Sequence, residues 1–224
     1  MRVSVIVPAL EESASITATL SALQPLRAQG HEVIVVDGGS RDATPLIARL
    51  LADRVYVAAK GRAQQMNFGA AKATGDVLLF LHADSVLPAD GLVAISGALG
   101  SGAAWGRFDV RITGKARVLK LIALAMNVRS RLTGIATGDQ GIFVRRELFE
   151  DVGGFPAIAL MEDVAICKRL KLHGGAPACL RTQVATSGRR WEARGPWRTI
   201  FTMWRLRLAY AMGADPASLS RHYR

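Results

Sequence analysis

Four short apolar runs, rich in β-branched residues and separated by amphipathic segments, constrain this chain more than any other feature. They are "VSVIVPAL" (3–10), "HEVIVVDGG" (31–39), "RVYVAA" (54–59) and "DVLLFLH" (76–82). Unbroken apolar runs, as opposed to alternating ones, are what strands covered on both faces require. Helical spacing fills the gaps between them. Ile16, Leu20 and Leu23 recur behind a Ser13 cap. "TPLIARLLA" offers Thr44 as N-cap and Pro45 in the first turn, and "GRAQQMNFGAAKATG" is closed by Gly75. Strands alternating with helices predict an α/β fold with a mostly parallel central sheet flanked by helices.

The second half is less regular. "AAWGRFDVRIT" alternates enough for a strand at an edge or in a mixed sheet. "ARVLKLIALAMNVRSRL" reads as a long helix, and "GIFVRRELF" as a strand running into a helix. "MEDVAICKRLKLHG" reads as a helix that Gly174 ends. With 224 residues, 50% of them hydrophobic, and no repeat, low-complexity tract or linker, one domain over 1–224 is expected. Cys167 and Cys179 form no CxxC pair and read as two buried thiols in a reducing cytoplasm. No apolar stretch approaches the roughly 18–20 residues of a spanning helix, and the apolar N-terminus meets Glu11 and Glu12 too soon for a signal peptide.

Ligands of open parallel sheets bind at the carboxyl ends of the strands. Three such ends here are polar: Glu11 and Glu12 after the first run, Asp37 after the second, His82 and Asp84 after the fourth. On an extended segment His82 and Asp84 would point to one side, with small Ala83 between them. Each of these residues also has an ordinary structural reading, as a turn former, cap or satisfied histidine. The first turn, "PALEES", holds no glycine, so the G-x-G-x-x-G dinucleotide fingerprint fails; GxxxxGK[ST] is absent too. A nucleotide bound here would need its phosphates neutralised by other means, and a divalent cation on Asp84 would serve.

"VSVIVPALEE", "VIVVDGGSRDAT" and "GRAQQMNFGAAKATGDVLLFLHADS", in that order and spacing, resemble the nucleotide-binding half of a family 2 glycosyltransferase, within a small bacterial subgroup carrying LHAD in place of DxD. The likeness runs from residue 1 to about 191. It implies the GT-A fold, a Rossmann-like nucleotide-binding architecture. A nucleotide-binding half would span 1–100 and an acceptor half 101–190. It also implies an inverting transferase of the hexosyltransferase type, moving a sugar from a nucleotide-diphosphate sugar to a hydroxyl acceptor, lipid-linked or not. By the same resemblance Pro8, Ala9, Glu11, Asp37, Gly38, Lys60, Arg62 and His82 contact the nucleotide. Asp84 holds Mn²⁺ or Mg²⁺. Glu162 and Asp163 match the catalytic ED pair, with Asp163 the general base, and Asp139, Arg190 and Trp191 face the acceptor. Asp163 also reads as a first-turn dipole partner. Ser187 stands where a Q-x-x-R-W element has Gln, which argues against a chain-extruding polymerase. Trp105 is open to two roles, stacking on a sugar or filling the core. A non-catalytic nucleotide- or membrane-surface-binding protein with a degenerate GT-A site is the alternative.

A formal net charge of +11 points to an anionic partner or surface. From Arg181 onward there are nine Arg, no Lys and two acids, Glu192 and Asp215. In the segment 191–224, Trp197, Ile200, Phe201, Trp204, Leu208 and Ala211 share one helical face, with Arg198, Arg205 and Arg207 mostly off it. That pattern suits a basic amphipathic helix on anionic lipid, or one whose apolar face packs on the domain. The expected location is therefore the cytoplasm, free or peripheral on the inner face of the membrane. Nucleic acid is not an expected partner, since no recognition motif is present.

Overall fold

Every residue of β1 (Val3–Ala9) is buried, as are all of β2 (Glu32–Asp37) and β4 (Val77–Phe80), which matches their unbroken apolar runs. The computed structural model describes residues 1–223, with side chains through Ser220. The first half alternates these strands with α1 (Ile16–Ala22), α2 (Gln24–Ala28), α3 (Thr44–Leu51), β3 (Arg54–Val57) and α4 (Arg62–Lys72). After β4 come the two-residue β5 (Ser85–Val86), α5 (Gly91–Gly100), β6 (Trp105–Thr113) and α6 (Val118–Thr133). A 3₁₀ turn at Gly138–Gln140 leads to β7 (Ile142–Arg145), α7 (Arg146–Asp151), α8 (Glu162–Gly174) and β8 (Ala178–Ser187). The chain continues through α9 (Arg189–Arg194), α10 (Pro196–Ala211) and α11 (Pro216–Tyr223).

One eight-stranded sheet runs in the order β3-β2-β1-β4-β7-β6-β8-β5. The β3-β2-β1-β4 half is parallel throughout. Beyond it β7 is antiparallel to both β4 and β6, β8 runs parallel to β6, and β5 is antiparallel to β8. Apolar layers cover both faces. Val5, Val7, Leu79 and Leu81 pack toward α1 and α5, and Ile6, Ile34, Leu78 and Phe80 pack toward α4, α7 and α8. Gly69 lets α4 settle on the sheet, because a Cβ there would lie 2.6 Å from Ile6.

Several local expectations are corrected. Helix α1 begins at Ile16 behind Ser15, and Ser13 instead donates its N–H to Asp42. Thr44 is the first residue of α3, not its cap; its hydroxyl accepts the Glu12 N–H, tying the two loops together. Helix α4 stops at Lys72, short of Gly75. Strand β6 keeps one of its two expected settings, a mixed sheet, where it lies between antiparallel β7 and parallel β8 and not at an edge. Strands β5 and β8 were not foreseen. Trp105 is core, fully buried, with its indole N–H on the Gly175 carbonyl at 3.0 Å. Cys167 is buried and Cys179 only partly so; burial pushes the Cys167 thiol up to about 12, which leaves it inert at neutral pH.

Candidate active site

Strands β1 and β2 stay paired to their ends at Ala9 and Asp37, and buried Gln65 on α4 ties those ends together. Its amide donates to the Ala9 and Val36 carbonyls at 2.8 Å each. Asp37, itself buried, turns its carboxylate into its own loop, where it accepts the Gly39 N–H (2.9 Å), the Ser40 N–H (2.8 Å) and the Ser40 hydroxyl. The Glu11 carboxylate accepts the Arg41 N–H at 2.8 Å, while its own N–H donates to Ser40. Pro8, Ala9, Glu11, Asp37 and Gly38 therefore form one cross-braced rim. Lys60 is exposed on the neighbouring loop before α4.

Strand β4 ends at Phe80, so His82 and Asp84 do not sit on extended backbone. They lie in a turn that the Ser85 N–H closes on the His82 carbonyl at 3.1 Å. Thr19 pins the inner side of that turn, donating its hydroxyl to the Ala83 carbonyl at 2.9 Å. The two side chains still serve one region. His82 Nδ1 meets Asp139 Oδ1 at 3.1 Å; burial raises the Asp139 carboxyl, but His82, Arg62 and Arg190 outweigh it and hold the group below its ordinary value. With Asp139 ionised, Nδ1 donates, and Nε2, buried and without a partner among the described residues, is left facing Gly138. Burial raises the Asp84 carboxyl, and His82, Asp139, Glu12 and Arg189 are its charged neighbours.

A cleft of about 80 Å³ lies between the 3₁₀ turn, the start of α8 and α10. Of the expected residues Arg62, His82, Asp139, Glu162, Asp163 and Arg190 line it. Sites for drug-sized ligands run to about 300–1,000 Å³, so this cleft is too small to enclose such a ligand by itself, and the β1–β2 rim lies outside its lining. Glu162 is buried, 3.4 Å from Arg62 Nη1; burial first and Asp163 second push its carboxyl up. Asp163 accepts the Gly138 N–H at 3.1 Å, a bond that joins α8 to the turn carrying Asp139. Trp191 lies outside the cleft and packs with Leu119 and Ile122.

Among the described residues the non-glycine positions with left-handed backbone are Glu11 (φ 54°) and Met161 (φ 69°). Such backbone costs about 1–3 kcal/mol and persists where the surroundings impose it. Here it sits on the rim and directly before the Glu162–Asp163 pair. Sequence reasoning missed Thr137, Leu160, Met161, Met203 and Arg207 of the cleft wall. Leu206 packs α10 on Leu160 and Met161, which brings Met203 and Arg207 over the site; no local pattern encodes that docking. It also missed the Arg189–Glu12 ion pair at 2.7 Å, which fastens α9 to the β1 turn.

The donor set bears on a cation. Among the described residues no cluster of three or more His, Cys, Asp or Glu is arranged to hold a metal. Asp84 nonetheless keeps a largely buried carboxylate with no hydrogen-bond donor described for it, raised by that burial. This fits a hard cation of the Mg²⁺ or Mn²⁺ type that takes one or two protein oxygens and completes its shell with phosphate and water. It does not fit a cation caged by protein alone.

A parallel half-sheet with a braced loop rim, joined through a mixed half-sheet to an acidic pair across one cleft, defines the GT-A glycosyltransferase fold. The model of Glycosyl transferase family 2 matches residues 4–153, and the chain belongs to that family. A PGL/p-HBAD biosynthesis glycosyltransferase of Mycobacterium bovis is 32% identical over 168 residues, covering 68% of this chain and 62% of that protein. The chain thus spans less than two thirds of that relative's length. TarS 1-349 of S. aureus, solved with UDP-GlcNAc, superposes with TM-score 0.67 at 20% identity, over 84% of this chain and 58% of TarS. The mannosyltransferase PcManGT of Pyrobaculum calidifontis, solved with GDP-Man and Mn²⁺, does so with TM-score 0.65 at 23% identity, over 98% and 67%.

Proposed function

We propose that this protein transfers a glycosyl group from a nucleotide-diphosphate sugar to a hydroxyl acceptor, with inversion and with help from a divalent cation. The observation that carries this reading is the continuous link from the Asp84 turn to Asp163. His82 meets Asp139 at 3.1 Å, and the adjoining Gly138 N–H holds Asp163 at 3.1 Å. A candidate cation ligand, Asp84, and a candidate base, Asp163, are thus connected through His82, Asp139 and Gly138. The rim of Pro8, Ala9, Glu11 and Gly38, shaped by Asp37, receives the nucleoside, with Lys60 beside it.

Asp84, with His82 close by, would hold the cation, which supplies electrostatic stabilisation to the departing diphosphate. Arg62, anchored by Glu162, adds positive charge at the same wall. Asp163 takes the proton of the attacking hydroxyl, and in-line attack inverts the anomeric carbon. Asp139 orients His82, and with Arg190 it borders the acceptor side; Trp191 supports that wall from the α6 side. TarS and PcManGT, solved with a nucleotide sugar, support the donor class, and the Mn²⁺ of PcManGT supports the cation.

The reading extends to anionic membrane. Trp197, Phe201 and Trp204 on α10 are 74%, 69% and 73% exposed, so these large side chains of the apolar face stay off the domain, although Ile200 of the same face packs on it. On α6, Leu121, Leu124, Val128 and Leu132 form a second exposed stripe. Ile200 packs against the cluster that holds Leu119, Ile122 and Ala123 of α6, and Arg129 is a charged neighbour of Arg207, so the two helices approach each other. Exposed aromatics beside arginines favour peripheral contact with anionic headgroups. No helix among the described residues is long and apolar enough to cross a membrane.

Thermal-shift and turnover measurements with Mn²⁺ and UDP- or GDP-sugars test the reading. Asp84→Ala abolishes cation-dependent nucleotide binding, whereas Asp163→Asn keeps binding and loses roughly 10²- to 10⁴-fold in turnover. Full turnover in both variants refutes the assignment.

A further inference from the structure

Two guanidinium groups near the cleft each keep a nitrogen with no partner among the described residues. Arg129 on α6 has its Nη2 shielded from solvent and without a hydrogen-bond partner among the described residues, and the Nε of Arg207 on α10 is in the same condition. Arg207 lines the cleft, as does Arg190. Burial first, and then the repulsion of Arg207, push Arg129 down to about 10, against the pull of Asp163. Helices α6 and α10 carry six basic residues and no acidic one, so neither helix supplies the compensating charge. A buried donor left unpaired forfeits its hydration for nothing, and two like charges out of water repel strongly. A ligand that brings the anion removes both penalties.

The charged groups fall into two neighbourhoods, one reaching the cleft through His82 and Asp139 and the other through Asp163 and Arg207. Asp84 has His82, Asp139, Glu12 and Arg189 as its charged neighbours. Arg129, behind the lining, has Arg207, Asp163 and Arg107. With the donor diphosphate on the Asp84 side, the Arg207 side of the cleft falls to the acceptor. We infer that the acceptor carries a phosphate ester, received by Arg207 with the charge of Arg129 behind it, while its hydroxyl meets Asp163. Two guanidinium forks match a dianionic, three-oxygen phosphate better than a single carboxylate. This inference rests on the transferase reading. The phosphate belongs either to a soluble ester or to a lipid, the latter reached through the exposed face of α10.

Calorimetry on the full chain saturated with Mn²⁺ and UDP or GDP, which occupy the donor site, compares sn-glycerol 3-phosphate with glycerol. The phosphate ester binds at least tenfold tighter. Arg207→Gln abolishes that preference with nucleotide affinity unchanged, and Arg207→Lys restores part of it. A second arm compares vesicles of phosphatidylglycerol with vesicles of phosphatidylcholine. Loss of the anionic preference in Arg207→Gln here too assigns a lipid phosphate; loss with the soluble ester alone assigns a free one. Equal binding of ester and glycerol by the unmodified protein, with no Arg207 dependence on vesicles, overturns the inference and leaves the transferase reading standing. Absence of any nucleotide binding refutes that reading first. The ester–glycerol comparison needs no variant, so a misfolded substitution cannot hide the answer.

Discussion

Gly138→Ala sets a small steric change against a precise geometry. A Cβ at Gly138 would lie 2.5 Å from His82 Cε1 and closer still to Nε2, whereas ordinary contact begins at 3.4 Å. The imidazole must retreat by at least about 0.9 Å, the shift that Cε1 alone requires. The His82–Asp139 contact starts at 3.1 Å and does not survive such a shift. Overpacking of this size costs about 1–3 kcal/mol of stability. Misplacing a group at a reacting centre by about 1 Å costs on the order of 10²-fold in rate. Urea unfolding and nucleotide-sugar turnover, read on the same preparation, should show a modest loss of stability beside a hundredfold loss of activity. Unchanged turnover in a folded variant would refute the role given to the His82–Asp139 contact.

Two further outcomes follow from buried polar groups. Burial and Asp163 raise the Glu162 carboxyl, so the fold favours its protonated form. The stability this contributes is complete below the unfolded pKa, near 4.5, and is lost as pH climbs through the raised folded value. Glu162→Gln should therefore melt above the unmodified protein at pH 8, with the gap closing toward pH 4; a constant gap would contradict this. Asn127 accepts the Val110 N–H at 2.8 Å and donates to the Val110 carbonyl at 3.0 Å, pairing α6 with β6 as a strand neighbour would. Asn127→Ala strands both buried groups and should cost about 2–6 kcal/mol in chemical denaturation, at about 1–3 for each; a cost under 1 would refute the pairing.

The first half of the fold was legible because β1, β2 and β4 are covered on both faces, so their sequences carry unbroken apolar runs. Strand β8 was not. Its first half is no more than half-buried, with Arg181 and Gln183 exposed and only Val184 and Thr186 buried, and pairing with β6 over seventy residues away makes it a strand. The site was legible as a set of carboxylates at strand ends. Its pairings were not, because His82 finds Asp139 across 57 positions and Arg62 finds Glu162 across 100.

Residue chemistry along the chain settled the strand–helix alternation, the acidic strand ends and the amphipathic character of α10, since each depends on neighbours within a few positions. Only the tertiary structure decided which way α10 faces. A helical stripe of Trp, Phe and Leu can turn inward or outward with the same periodicity, and the packing of Leu206 on Leu160 and Met161 turned it outward. That docking brings Arg207 beside Arg129 and over Asp163. Long-range packing alone could place these charges together, because in sequence each is surrounded by its own local neighbours.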